Sequence, residues 1–362
     1  MDRKRTIATG VVLVVLAVLV YIQFRTWRNF RWELFLSQTH HVHKLHILHA
    51  VALVYIGYVL RAIRWKIFLR PVRPQATSTA LVAPTIIGFT GLALLGRPGE
   101  LIRPYLIARH ENLPFSSQLG VWAVERIFDI GAFTVLLVLA AFFATAPKRL
   151  ALHSIFQEVA VAFTALVVGL TLGAIAVHRS GELLARWVER RFAGVASNLG
   201  HRVALRIREF RDGLNTIHGT SSLLQVIAVS LVMWAMIAVS YKEVTHAYGT
   251  ACDAANPDVC TLEIPQTQVL LLMGSSMVGS LIQLPGVGGG SQLATISMLD
   301  HVFEVKPELA ASCGIMLWLV TFVAIVPVGL VLTHRERLSL RRLSAESHQA
   351  EEATVTASPP SA

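Results

Sequence analysis

The sequence predicts an all-α, polytopic transmembrane helix bundle of about six full spans and two re-entrant helical hairpins arranged as an inverted repeat. Of its 362 residues, 54% are hydrophobic and 15% are charged, and the mean hydropathy is +0.58. Soluble globular chains usually carry about a quarter charged residues. Crossing a hydrocarbon core of about 30 Å takes about 20 mostly apolar residues in a helix, and several stretches reach that length. A water-soluble fold is therefore excluded.

Long apolar segments are predicted as full spans. The first follows a basic N-terminus and lacks the small-residue cleavage site of a signal peptide, so we expect it to remain as a span. The spans are expected at about residues 6–24, 44–62, 116–144, 154–177, 222–242 and 308–333.

Two further apolar segments differ because each runs into a cluster of glycine and proline. Residues 77–95 are followed by the cluster at 96–100, and residues 266–284 by the cluster at 285–290. A shorter segment follows each cluster, and neither is long and apolar enough to span comfortably. These followers lie at about 99–111 and 291–304.

Basic residues indicate on which side of the membrane each segment lies, because cytoplasmic loops carry the excess of Lys and Arg. Residues 178–212 contain eight arginines and both ends of the chain are basic, whereas 243–305 contains no Lys or Arg. The number of membrane crossings places every basic segment in the cytoplasm only if residues 77–111 form a re-entrant hairpin that enters and leaves on the cytoplasmic side. By the same reasoning, residues 266–304 form a hairpin that enters and leaves on the outer side. The alternative is two ordinary kinked spans with a local violation of the charge rule.

This arrangement is an inverted repeat of about 6–146 and 154–333 inside one transmembrane domain, residues 1–343. Inverted repeats with broken helices at corresponding positions are typical of transporters. An amphipathic cytoplasmic linker is predicted at 178–220, either lying in the membrane interface or packed on the bundle. A disordered cytoplasmic tail is expected at 344–362 because it is polar and has no apolar periodicity.

Charged side chains cluster at the first break and inside the apolar span that follows it. In a helix Glu125 is about 13 Å beyond Ser116, which places it well inside the membrane if the span starts there. A charge at that depth costs at least about 2.5 kcal/mol unless it is paired or wetted, so it marks a site by default. Arginine forks and helix N-termini both suit phosphate oxygens, which favours a phosphate headgroup as ligand.

The alternative is that these ions only pair with one another and lock the hairpin to the span. In either case we expect Arg97 or Arg103 to pair with Glu125 or Asp129. The remaining expected pair is Arg126 with Glu100.

The second break contains four glycines and no charge. Glycine permits close backbone approach to a ligand, although tight helix packing is an alternative use. The break lacks the Lys-Ser/Thr ending of a nucleotide-binding loop. The predicted headgroup-binding residues of both breaks and the span are Arg97, Glu100, Arg103, Glu125, Arg126, Asp129, Gly286, Gly288, Gly289 and Gln292.

No metal site and no cofactor are predicted. His43, His46 and His49 share a helix face, but no carboxylate or cysteine joins them in the sequence. Cys252 and Cys260 lie in a loop assigned to the outside, where a disulfide is chemically allowed.

Several of these segments resemble one known family. Gly-Arg-Pro-Gly-Glu-Leu-Ile-Arg-Pro-Tyr at 96–105, Val-Glu-Arg-Ile-Phe-Asp at 124–129 and the glycine-rich loop before a helix are similar to the lysylphosphatidylglycerol synthase transmembrane region, or flippase-like domain. The resemblance extends over about 6–333 and implies movement of a lipid or lipid-linked headgroup between leaflets. The positions matching its recurrent residues are Gly99, Glu100, Arg103, Pro104, Glu125, Arg126 and Asp129.

The chain departs from the family at two points. Many relatives carry a glutamate soon after the glycine loop, where Gln292 stands here. Only about thirty polar residues follow Thr333, so we expect no soluble aminoacyl-transferase domain like that of the full synthases and do not predict synthesis of lysyl lipids.

We therefore expect a non-enzymatic lipid flippase or headgroup transporter in the bacterial inner membrane, with both termini cytoplasmic. Its expected partners are membrane lipids, anionic headgroups and an enzyme that makes the lipid substrate. The net charge is +10, but the basic residues lie between the apolar spans, where they orient the protein and contact anionic lipid headgroups. Nucleic acid is therefore not an expected partner. The alternatives are a membrane-embedded glycosyl or acyl transferase acting on a lipid carrier, and a non-transporting accessory subunit.

Overall fold

The structure is a computed structural model in which helices make up almost all of the regular structure. It describes residues 32–143, 150–192, 197–214, 216–217, 219–249, 264–280, 283–284 and 288–336.

The first half of the described chain consists of five α-helices and one 3₁₀ turn. The helices are α1 (Trp32–His40), α2 (Lys44–Leu69), α3 (Ser78–Leu95), α4 (Ile102–Glu111) and α5 (Phe115–Phe143), and the 3₁₀ turn at Arg97–Leu101 joins α3 to α4.

The second half contains seven α-helices, two π-helical turns and one short strand pair among the described residues. The helices are α6 (Leu150–Phe192), α7 (Ser197–Leu214), α8 (Thr220–His246), α9 (Gln266–Gly279), α10 (Gly290–Ser297), α11 (Pro307–Trp318) and α12 (Val326–Arg335). The π turns are Met298–Val302 after α10 and Leu319–Val323 between α11 and α12.

Within the described residues, five helices are long and apolar enough to cross a membrane. The predicted helical, multi-pass membrane fold is confirmed at this level. Helix α5 has 29 residues and includes three charged side chains in its middle, so its composition differs from that of the others. The five helices are α2, α3, α6 from Gln157 to Phe192, α8, and the α11–α12 unit from Pro307 to Arg335.

Helices α3 and α4 form a tight hairpin around the first glycine and proline cluster. Helix α3 ends at Leu95, and Gly96 adopts a φ of +72°, a conformation that an L side chain rarely adopts. A side chain at Gly99 would collide with the backbone of Gly91, so the 3₁₀ turn lies directly against α3. The helix–break–helix order expected at this cluster is therefore present.

Helices α9 and α10 form a second hairpin at the other glycine cluster. A side chain at Gly279 would collide with the carbonyl of Gly290, so the two helices touch backbone to backbone. Between them, strands β1 (Gln283–Leu284) and β2 (Gly288–Gly289) pair antiparallel. The second helix–break–helix order is also present, with this strand pair as an addition that the sequence did not predict.

Two segments differ from the sequence expectation in their continuity. Helix α6 runs without a break from the expected span into the expected linker, because the intervening residues contain no proline. The last expected span is interrupted by the Leu319–Val323 π turn, and Pro327 stands in the first turn of the helix that follows, where its missing N–H is tolerated.

The linker helices pack on the bundle through α7. A side chain at Gly213 would collide with the carbonyl of Ser117 on α5. On the other side of α7, Arg208 bonds Glu189 and Glu182 of α6, and these two carboxylates raise the pKa of its guanidinium above the usual value.

Several expectations fall outside the described residues. They are the first span at 6–24, Gly286, the Cys252–Cys260 disulfide and the tail at 344–362.

Candidate functional site

Glu125 and Asp129 lie on one face of α5 and are almost completely buried. Their side chains are 0% and 3% exposed. Arg64 of α2, also 0% exposed, places Nη2 at 2.8 Å from Glu125 Oε1 and 2.7 Å from Asp129 Oδ1. One guanidinium therefore bridges the two carboxylates, as their four-residue spacing allows.

Arg103 approaches Glu125 from the α3–α4 hairpin. Its Nη1 donates to Glu125 Oε1 at 3.1 Å, and its Nη2 contacts Oε2 of the same carboxylate. Its guanidinium carbon lies 4.4 Å from the ring centre of Trp65 and 5.1 Å from that of Phe89. The guanidinium of Arg103 is therefore held in place by hydrogen bonds to the Glu125 carboxylate and by cation–π contacts with the two aromatic rings. The expected pairing of Arg103 with Glu125 is present.

Arg126 does not make the pair that the sequence suggested. Its Nη2 lies 3.1 Å from Asp129 Oδ2 and 3.4 Å from Glu125 Oε2, while Glu100 pairs with Arg97 of its own turn. The expected Arg126–Glu100 pair is wrong, because the long arginine side chain bends back along its helix to the residue three positions on.

Neutral side chains add one hydrogen bond to Asp129 and one to Arg64. Trp234 Nε1 donates to Asp129 Oδ1 at 3.2 Å, and Arg64 Nη1 donates to Ser230 Oγ at 2.9 Å. Both of these partners lie on α8, so this helix ties the cluster to the second half of the chain.

The sequence interpretation missed the two arginines of α2. It ended the second span at residue 62, but α2 continues to Leu69 and carries Arg61 and Arg64 into the bundle. Arg61 Nη1 lies 3.4 Å from Asp129 Oδ2. The spacing in the sequence could have revealed them. Arg61 and Arg64 are three residues apart and Glu125 and Asp129 are four apart, so each pair lies on one face of its helix and the two faces can meet.

The cluster holds more positive than negative charge. Among the described residues that touch Glu125 or Asp129, four guanidiniums face two carboxylates, an excess of two positive charges. Burying an ion costs several kcal/mol unless it is paired and hydrogen-bonded. Buried Nε atoms of Arg64 and Arg126 have no hydrogen-bond partner within the described part of the chain. The arrangement therefore favours an anion as a further partner.

Two cavities border the arginines. The interior cavity, of about 160 Å³, lies between the two halves of the chain, and its mostly apolar wall includes Tyr58, Arg61, Trp234, Tyr241, Ser276 and Thr321. The smaller arginine cleft is lined by Gly88, Glu100, Arg103, Trp122 and Arg126. Phe89 and Leu92 of α3 line both.

The breaks of the two hairpins touch at the edge of this region. Arg97 Nη2 donates to the carbonyl oxygen of Ser280 at 2.8 Å, and Ser280 lines the interior cavity. Gly289 and Gln292 do not appear among the described residues that line either cavity. Gln292 Oε1 instead accepts a hydrogen bond from the Gly289 N–H at 3.4 Å, a cap for α10.

The histidines gather at the other end of α2, and a carboxylate does join them. Glu243 of α8 places Oε2 at 2.5 Å from His46 Nδ1 and at 4.0 Å from His49 Nδ1. No group of three or more potential ligands among the described residues is placed to hold a metal ion.

Comparison with known proteins confirms the family that the sequence motifs resemble. A family model described as the lysylphosphatidylglycerol synthase TM region matches residues 7–329, nearly the whole chain. The chain belongs to this family. The match extends from the first predicted span to α12, so the lysylphosphatidylglycerol synthase TM region includes both hairpins and every residue of the arginine cluster. Membership indicates a function connected with membrane lipids.

One curated relative adds a narrower similarity. Over 76 residues the chain is 32% identical to Glycosyltransferase AglD of Haloferax volcanii, which covers 21% of this chain and 12% of AglD. The chain thus matches about an eighth of that protein's length. No solved structure matches the chain.

Proposed function

We propose that the chain moves a phosphate-containing lipid headgroup between the leaflets of the bacterial inner membrane, acting as a transporter and not as an enzyme. The observation that carries the proposal is the excess of two positive charges in the arginine cluster, which lies beside two cavities. A phosphate monoester carries about −1.5 to −2 charges at pH 7 and offers several acceptor oxygens. Such a group balances the excess charge of the cluster and offers acceptor oxygens to Arg103 and Arg126, which line the arginine cleft.

The hairpins supply the alternating exposure that transport requires. In this proposal α3–α4 is re-entrant from the cytoplasmic side and α9–α10 from the outer side, with both termini cytoplasmic. The hydrogen bond from Arg97 to Ser280 supports a meeting of the two breaks within the bundle. Irregular backbone at membrane depth is tolerated where it is buried or lines a wet cavity. The partners of the protein would be anionic lipids and the enzyme that makes the transported lipid.

The proposal is tested by reconstitution into liposomes. Fluorescent phosphatidic acid, phosphatidylcholine and a polyprenyl-phosphate sugar are compared for transbilayer movement with wild-type protein and with empty vesicles. We expect faster movement of at least one phosphate-bearing lipid, with the monoester ahead of the zwitterion. Movement no faster than in empty vesicles for every headgroup would overturn it.

A lipid-carrier glycosyl or acyl transferase is the second candidate, and its support is the similarity to a protein named as a glycosyltransferase. That similarity involves about an eighth of AglD, which is why transport is preferred. Release of a transferred sugar or acyl group by the purified protein would favour this candidate. An accessory subunit, in which the charges are only a structural lock, is separated from both by the variants of Arg126 described below.

A further inference from the structure

The ring of Phe89 stands between the interior cavity and the arginine cleft. Both cavities are lined by Phe89 and by Leu92, one turn further along α3. Arg103 and Arg126 lie on the cleft side, and Arg61 and Tyr58 on the interior side. A headgroup passing from one arginine-lined space to the other would have to pass this ring.

The ring is held by charged and aromatic neighbours from two helices, α2 and α4. The guanidinium carbon of Arg61 lies 5.0 Å from its centre and that of Arg103 lies 5.1 Å away. The ring of Tyr58 lies 5.0 Å away at an interplanar angle of 49°. Cations attract the face of an aromatic ring, and this attraction grows when water is excluded.

Space next to the ring gives it somewhere to move. Phe89 is half-buried and borders a cavity on each side, whereas Phe133, which packs in the core, is 0% exposed. A phenylalanine side chain turns by moving between staggered rotamers. Empty volume on either side removes the usual steric obstacle to such a turn.

We propose that Phe89 is the gate of the headgroup path, an aromatic partition that Arg61 and Arg103 hold closed between the cleft and the interior cavity. The proposal rests on the proposed function, because a partition matters only if a headgroup crosses it. The gate would make the path selective for anionic lipids. An anionic headgroup can engage Arg61 and Arg103, the two residues that hold the ring, whereas a lipid without an anionic group cannot.

The gate is tested by chemical access to the interior cavity, without any transport assay. Met277 lines the interior cavity and not the cleft, so Met277→Cys reports on that cavity. The background carries Cys252→Ser and Cys260→Ser, and the same background without Met277→Cys measures any reaction of the buried Cys313. Protein in lipid nanodiscs is treated with an anionic, water-soluble methanethiosulfonate reagent.

We expect Phe89→Ala to raise the labelling rate of the introduced cysteine at least tenfold, and Phe89→Tyr, which keeps the ring, to leave that rate unchanged. Phe89→Leu keeps an apolar side chain but removes the ring, so it should also raise the labelling rate. This variant replaces Phe89→Ala in the test if the alanine variant does not fold. The matched control is Phe322→Ala, because Phe322 lines only the interior cavity.

An unchanged rate in folded Phe89→Ala or Phe89→Leu protein, or an equal rise in Phe322→Ala, would overturn the gate. Faster labelling in a protein that moves no lipid would leave the gate standing and remove the proposed function. The two failures are therefore distinguishable.

Discussion

The guanidinium of Arg97 donates a 2.8 Å hydrogen bond to the carbonyl oxygen of Ser280, which joins the break of the α3–α4 hairpin to the end of α9. These residues are 183 positions apart in the sequence and belong to different halves of the chain. The bond gives the two hairpins a direct mechanical link at the wall of the interior cavity.

Arg97→Ala should slow lipid movement severalfold with little effect on folding. Arg97 is half-exposed, and exposed ion pairs contribute about 0–1 kcal/mol to stability. Liposome transport and thermal unfolding in detergent are measured together. The control is Arg186→Ala, whose side chain is also half-exposed and pairs within its own helix. Equal transport by the two variants would show that the link is dispensable.

Arg64→Met should destabilise the protein by about 3–5 kcal/mol, because it leaves Glu125 and Asp129 without their bridging cation in a buried site. The measurement is the free energy or midpoint of unfolding in detergent. Arg186→Met removes an exposed pair and should change stability by no more than about 0.5 kcal/mol. A small effect of Arg64→Met would contradict this role and would mean that Arg61, Arg103 and Arg126 are enough to neutralise the two carboxylates.

Arg126→Gln separates a binding site from a structural lock. Arg126 is 35% exposed, lines the arginine cleft and pairs with Asp129 three positions on. We expect it to lower transport at least tenfold while the unfolding midpoint changes little, since Arg64 and Arg61 still neutralise Asp129.

The matched control for Arg126→Gln is Arg206→Gln. Arg206 is 40% exposed and makes the same i, i+3 pair with Glu209, but it lies on α7 and not in the cleft. Transport should be normal in this control. If Arg126→Gln transports normally while losing stability, the charges form a lock and the accessory role is favoured.

Gly99→Ala should disrupt the first hairpin. The added Cβ would collide with the backbone of Gly91, which cannot move aside without shifting α3, and we expect a loss of about 3 kcal/mol or more. Gly173→Ala is the control, since nothing lies within 4 Å of its added Cβ and alanine favours a helix by about 0.8–1.0 kcal/mol. Unfolding midpoints should therefore move in opposite directions, and a fall of similar size in both would contradict the packing.

The break positions could be predicted from the sequence because they depend on local chemistry. A helix cannot continue through Gly96, Pro98 and Gly99 without losing hydrogen bonds or adopting an unusual φ, and α3 ends at Leu95. The pairing of Arg103 with Glu125 could also be predicted, because a buried carboxylate needs a cation from a neighbouring element.

The full membership of the cluster could not be predicted in the same way. Arg61 and Arg64 stand near the end of an apolar run, where arginines usually reach the membrane surface. Only the continuation of α2 to Leu69 and its packing on α5 and α8 bring them inward, and both are tertiary effects. Arg126 was assigned to the wrong partner because side-chain reach within one helix was underestimated.

The central claim is that the arginine cleft holds a lipid phosphate, and a cryo-electron microscopy structure in nanodiscs containing phosphatidic acid tests it most directly. The account predicts a phosphate within hydrogen-bond distance of Arg103 or Arg126, with the lipid tail leaving the cleft toward the bilayer. Phosphates ordered only at the membrane surface, with Arg103 and Arg126 still contacting nothing but Glu125, Asp129 and aromatic rings, would contradict it.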